Sequence, residues 1–201
     1  MQVNGLYRKD YGRANRGKPF EDLLKMANGR YQCDGIACVH KVPTEFIPLR
    51  DLTGQVYSCK VENKSCVDYL GRYHGIPVAV EAKHTENNRI EFSEVQNHQA
   101  EFLDDWIKDP EAVALIVVSF GLRDFFTVPW QFWKAARDDW KRSKGRLKPI
   151  VDAYGWLWKA PGMASVSREQ LLPEWRIAPG GCYMLHYLGV VDAIRGGMLH
   201  G

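Results

Sequence analysis

At 201 residues, 45% of them hydrophobic and 12% aromatic, the chain can bury one sizeable core, about 70% of the surface its unfolded form exposes. Lys and Arg outnumber Asp and Glu by only 27 to 24, so bulk charge is a weak argument for a nucleic-acid partner and the placing of the cations says more. No apolar run approaches the roughly 18 residues of a membrane span and no signal peptide is evident, which predicts a soluble, cytoplasmic protein.

Residues 1–17 are polar, basic and rich in Gly and Asn, and they predict a flexible basic N-terminal arm ahead of one domain over 18–201. Arg8, Lys9, Arg13, Arg16 and the following Lys18 face a single acid, Asp10. Such a cluster is an electrostatic footprint for a phosphate backbone or simply a solvated arm. "KPFEDLLKMANG" predicts a short helix. Pro19 lies in its first turn, Phe20, Leu23, Leu24 and Ala27 form an apolar stripe, and Gly29 is placed to cap it. "GIACVHKV" (35–42) reads as a strand, whereas 44–65 offers only strand-like pieces such as "QVYSCKV".

A β-hairpin follows, "CVDYL" (66–70) and "IPVAVEAK" (76–83), with its turn expected near Arg72–Gly75. Ser93 and Gln96 fit a capping box for a helix over 93–107, with Val95, Phe102, Leu103 and Trp106 on its apolar face. "AVALIVVSF" (112–120) predicts a central strand buried on both faces. "DFFTV" predicts another strand, and Pro129 opens the helix "WQFWKAARDDWKR". A second basic cluster, Arg137 to Lys148, begins on that helix, and the stretch 139–165, rich in Trp, Lys and Arg, predicts an insertion. "SREQLL" predicts one more short helix. The sum is an α/β domain with a mixed β-sheet flanked by helices. Five cysteines (33, 38, 59, 66 and 182) show no CxxC and no zinc spacing, as expected of free thiols.

Within "VAVEAK" (78–83), alternate residues share a face, so Glu81 and Lys83 project together. A turn on Arg72–Gly75 pairs residue 68 with 79 and sets Asp68 diagonal to Glu81, with Cβ atoms about 7–8 Å apart. Two carboxylates at that reach suit Mg²⁺, which takes one or two carboxylates with waters and phosphate oxygens. Lys83 beside them would orient or activate an attacking water, or stabilise charge building on a phosphate. Taken alone, an ExK pair is more often a solvated strand face; Asp68 thirteen positions before Glu81 makes that bland reading weaker. Gln99 falls on the apolar stripe of its helix, where a buried amide needs partners that either a metal site or nearby backbone would supply. Glu21 is a further possible member, although first-turn acids are favoured by the helix dipole in any case.

This D-x₁₂-E-x-K arrangement resembles the PD-(D/E)xK nuclease superfamily and its restriction-endonuclease-like fold. "NRGKPFED", "GIACVHKVPT", "VDYLGRYHGIPVAVEAKHT", "HQAEFL", "VVSF" and "HYLGVVD" occur in the order found in RecU-type Holliday junction resolvases, so the resemblance spans nearly the whole chain. It implies a homodimeric, Mg²⁺-dependent endonuclease (with Mn²⁺ as a substitute) that nicks opposite strands of a four-way DNA junction. By position, Asp68, Glu81 and Gln99 would be metal-site residues and Lys83 the transition-state stabiliser; on such a nuclease the basic arm, with Arg13, Arg16 and Lys18, would contact DNA phosphates independently of sequence. Three departures stand out. Cys66 replaces a Thr common in the family, the segment between "VPT" and Asp68 that forms the family's junction-entering stalk is short, and 139–165 looks like an elaboration of a phage version. A nuclease acting on duplex, nicked or flap DNA, and a non-catalytic junction-binding protein, are the competing expectations.

Overall fold

The computed structural model describes residues 17–178 and 180–198. Arg13, Arg16 and the expected arm lie outside the described residues. Helix α1 (Lys18–Cys33) starts with Pro19 in its first turn and buries Phe20, Leu24, Ala27, Asn28 and Tyr31 at helical spacing. Gly29 does not end it. The helix runs on to bury Tyr31, and the left-handed position beyond its end belongs to Gly35 (φ 69°).

A six-stranded sheet forms the centre, in the order β1 (Ala37–Lys41), β4 (Tyr69–Tyr73), β5 (Ile76–Thr85), β7 (Val113–Phe120), β8 (Asp124–Pro129) and β12 (Arg176–Ile177). β5 and β7 pair in parallel and every other neighbour is antiparallel, so the sheet is mixed. All eight residues of β7 are buried, as its unbroken apolar run predicts for a strand covered on both faces. Helix α2 (Asn97–Trp106) lies in the β5-to-β7 crossover, and α3 (Trp130–Ser143) follows β8 directly with Pro129 at its N-cap.

The two faces differ in what covers them. Phe20 of α1 stacks on Phe125, and Thr127 donates to the carbonyl of Tyr187, so α1 and the segment before α4 (Val190–Met198) cover one face. The other carries α2 and α3, joined where Trp130 Nε1 donates to Asp104 at 2.7 Å.

The unassigned stretch 44–65 is an antiparallel pair, β2 (Glu45–Arg50) with β3 (Val56–Asn63). Phe46, Ile47, Val56 and Tyr57 stay exposed on it, which removes the in–out alternation that marks a strand in sequence. Residues 139–143 complete α3, and the rest of the expected insertion contains a second hairpin, β9 (Ile150–Ala153) with β10 (Trp156–Lys159). Trp158 of that hairpin is buried against Phe132 and Trp175. The "SREQLL" helix is a single 3-10 turn, Arg168–Gln170, next to β11 (Ser165–Ser167), which pairs with β6 (Arg89–Glu91). All five cysteines are free. Among the described residues, no helix is long and apolar enough to cross a membrane.

Candidate active site

The β4–β5 hairpin sets the geometry. Tyr73 pairs with Ile76 and Tyr69 with Val80, so the turn is only His74–Gly75. Both turn residues have positive φ (47° and 85°), as a two-residue type I′ turn requires. The expected four-residue turn was two residues too long because a left-handed His is not visible in composition. The register correction matters: continued by one pair, it sets Asp68 opposite Glu81 rather than diagonal to it. Gly71 has its own reason. A Cβ there would lie 2.1 Å from the Cys38 carbonyl of neighbouring β1, so only glycine lets the strands close.

Glu81 is 1% exposed, in the middle of β5 between β4 and β7. Its Oε1 accepts from Lys83 Nζ at 2.7 Å and from Gln99 Nε2 at 2.6 Å. Its Oε2 is buried with no hydrogen-bond partner. A buried carboxylate oxygen left open is uncommon and calls for a ligand or ordered water. Burial first, and then the charge of Asp68, pushes the Glu81 carboxyl up to about 7, against the opposing pull of Lys83. Asp68 sits where the β4–β5 ladder stops, and its Oδ2 accepts from the Ala82 N–H at 2.9 Å. The side chain thereby takes over a backbone acceptor's place and is held beside Glu81. Lys83 is largely buried too, its side chain 16% exposed.

Gln99 arrives on α2, and this helix starts later than its sequence suggests. Ser93 lies in a 3-10 turn, Phe92–Glu94, while the true capping box is Gln96 with Gln99. Gln99 Oε1 accepts from the Gln96 N–H at 2.9 Å and its Nε2 goes to Glu81, so one amide ties the start of α2 to the buried acid. The Q-x-x-Q spacing was the available signal, masked by the stronger S-x-x-Q beside it. Val95 is buried as expected but precedes the helix.

Asp68, Glu81, Lys83 and Gln99 are therefore brought together. Glu21 is not joined to them: it pairs with Lys41 and lines a separate pocket with Asp22, His40 and Tyr69. Lys18 is exposed at the start of α1. Cys66 is half-buried against the core. The basic cluster of α3 divides. Lys144 lies over the Trp140 ring and Arg142 donates to the Asp138 carbonyl, whereas Arg137 and Lys141 reach Asn97 beside the site. Sequence counted these cations as one patch; only the helical period separates them. Among the described residues no group of three or more His, Cys, Asp or Glu could hold a metal, so a cation here would rely on the two carboxylates and on oxygens from elsewhere.

A family model described as Recombination protein U matches residues 15–151. A Holliday junction resolvase RecU of Staphylococcus saprophyticus subsp. saprophyticus is 27% identical over 145 residues, 67% of this chain and 68% of that protein. One of Lactobacillus delbrueckii subsp. bulgaricus is 27% identical over 190 residues, 90% of this chain and 81% of that protein. Among solved structures, Archaeoglobus fulgidus Hjc, a Holliday junction resolvase, aligns at a TM-score of 0.35 and 13% identity, covering 60% of this chain and 78% of that one. That likeness is too slight to carry weight.

Proposed function

The chain belongs to the RecU family, and from that membership we propose that it is a cytoplasmic, divalent-metal-dependent DNA endonuclease that resolves four-way Holliday junctions as a homodimer. The observation that carries the chemistry is the open, buried Oε2 of Glu81 beside Asp68. Two acids with a single basic neighbour leave uncompensated negative charge in a buried place, and a hard cation fits that donor set. Asp68 and Glu81 would hold the ion, and Gln99 would add the second lone pair of its carbonyl while fixing the Glu81 rotamer. When bound, Mg²⁺ or Mn²⁺ supplies Lewis-acid polarisation of phosphoryl oxygens and neutralises charge.

The chain's own groups do the rest. Lys83 Nζ, held by Glu81 and not wholly shielded from solvent along its side chain, would place an ammonium where charge develops on the scissile phosphate. Gln99 keeps Glu81 from rotating away. The valines at 78 and 80 are fully buried and anchor β5 in the core, so the acid and the base beyond them are held rigidly. Exposed Phe46, Ile47 and Tyr57 on the β2–β3 hairpin offer apolar faces to unstacked bases at a branch point, which favours the junction over plain duplex. A two-fold homodimer would match a two-fold junction and nick both strands symmetrically.

The test is a panel of equimolar junction, duplex, nicked and flap DNA incubated with Mg²⁺, alongside Asp68→Ala. Paired nicks in the junction alone, absent from the variant, support the proposal. Equal cutting of every substrate refutes junction selectivity, and binding without cleavage under any divalent metal refutes the enzyme.

A further inference from the structure

The helix that delivers Gln99 to Glu81 also forms one wall of a pocket of about 640 Å³, with α3 as the other wall. Gln96, Asn97, His98 and Glu101 line it from the α2 side, Arg137 and Lys141 from α3. Arg137 is 7% exposed, so its guanidinium is nearly withdrawn from water. Arg137 Nη2 donates to Asn97 Oδ1 at 2.7 Å, Lys141 Nζ reaches the same oxygen at 3.1 Å, and Arg137 Nε has no partner. Two cations thus converge on one neutral acceptor. Among the described residues neither forms an ion pair with an acid, although a buried cation without a counter-charge is costly.

What is missing is an anion. A guanidinium fork suits phosphate geometry, and Asn97 and His98, in the first turn of α2, line the same pocket. We infer that this pocket binds a backbone phosphodiester of the substrate DNA, close to the one being cut. The inference rests on the endonuclease reading for the identity of the anion, and the route to the catalytic acid is short. The Gln96 N–H holds Gln99 Oε1, and Gln99 Nε2 holds Glu81, so the pocket wall and the buried carboxylate share one side chain. A phosphate seated there sets the register of the strand across Lys83. Glu101, exposed on the rim, is the only acid lining the pocket among the described residues and works against the anion.

The test measures junction binding by the full chain without divalent metal, so that nothing is cut, across a salt series. Lys141→Ala, at an exposed position that folding does not need, should weaken binding severalfold and reduce the salt slope by about one. Arg137→Lys should weaken it too, with its melting curve recorded alongside, and Glu101→Gln should tighten it. A junction carrying a neutral methylphosphonate within a few nucleotides of the cleaved bond should bind wild type more weakly yet leave Lys141→Ala unaffected. Unchanged affinity and slope in Lys141→Ala, in a preparation that still cuts junctions, overturns the inference while sparing the nuclease. If wild type cuts nothing but Lys141→Ala still loses affinity, the pocket stands and the nuclease reading falls. Stabilisation of wild type by inorganic phosphate, with DNA affinity indifferent to Lys141, would assign the pocket to a free anion and overturn its role on DNA.

Discussion

The two faces of the central sheet treat their buried polar groups in opposite ways. On the α1 face they close on one another. Tyr187 donates to Asn28, Tyr31 meets His186, Thr127 donates to the Tyr187 carbonyl, and Tyr73 donates to Asp192. On the α2–α3 face some are paired, as Trp130 is with Asp104, but several stay open. Among the described residues the buried side-chain atoms lacking a partner are Glu81 Oε2, Arg137 Nε, Gln131 Oε1, Asp139 Oδ2 and three indole N–H groups. Each lies on β5, α2 or α3, or in Trp175, which packs on Phe132 of α3. A closed network stabilises and specifies a fold, whereas an open one waits for something outside the chain. Under the proposed function the α1 face is scaffold, and on the α2–α3 face a metal would complete Glu81 Oε2 and a DNA phosphate would complete Arg137.

The largest effects should come from breaking the open face at its acids. Asp68→Asn and Glu81→Gln each should remove junction cleavage to background, at least about 100-fold in single-turnover rate, with junction binding retained. Lys83→Ala should cost about 100-fold in the same assay, with no rescue by added metal, because the ammonium acts on the phosphate rather than on the site's charge balance. Gln99→Leu should fall lower, about 10- to 100-fold, and raise the metal concentration needed for half-maximal rate, as expected of a group that orients a ligand.

A smaller effect concerns stability and pH. The folded Glu81 carboxyl sits near 7, above its ordinary value, so the folded state holds this proton where the unfolded chain has lost it. Its contribution is full below about pH 4 and is lost as pH rises through 7, up to about 3 kcal/mol for a shift of this size. Metal-free protein should therefore lose stability between pH 5 and 8 by urea unfolding. Glu81→Gln should flatten that dependence, and Mg²⁺ should stabilise wild type far more at pH 8 than at pH 5. The smallest effect on catalysis belongs to the closed face. Tyr187→Phe strands a buried Asn28 oxygen and should cost about 1–3 kcal/mol of stability while leaving the rate of cleavage unchanged.

Where the sequence could be read, burial on one or both faces left a periodic trace. β7 is an unbroken apolar run, α1 and α3 carry helical stripes, and β5 is apolar until it delivers Glu81 and Lys83. The same logic hid β2 and β3, which bury too little to show a period. The acids were legible, but their register was not, because it hangs on His74 adopting a conformation usually left to Gly or Asn. Gln99 was legible as an odd polar residue on an apolar stripe. Its tie to Gln96, and the convergence of Arg137 and Lys141 on Asn97, are tertiary facts that only the packing of α2 against α3 creates.

The most direct measurement is calorimetric titration of Mn²⁺ into wild type, Glu81→Gln and Arg137→Gln at pH 8. If the open oxygen of Glu81 is the metal's place, wild type and Arg137→Gln bind the ion alike and Glu81→Gln does not. Equal Mn²⁺ binding by wild type and Glu81→Gln would contradict the account at its centre.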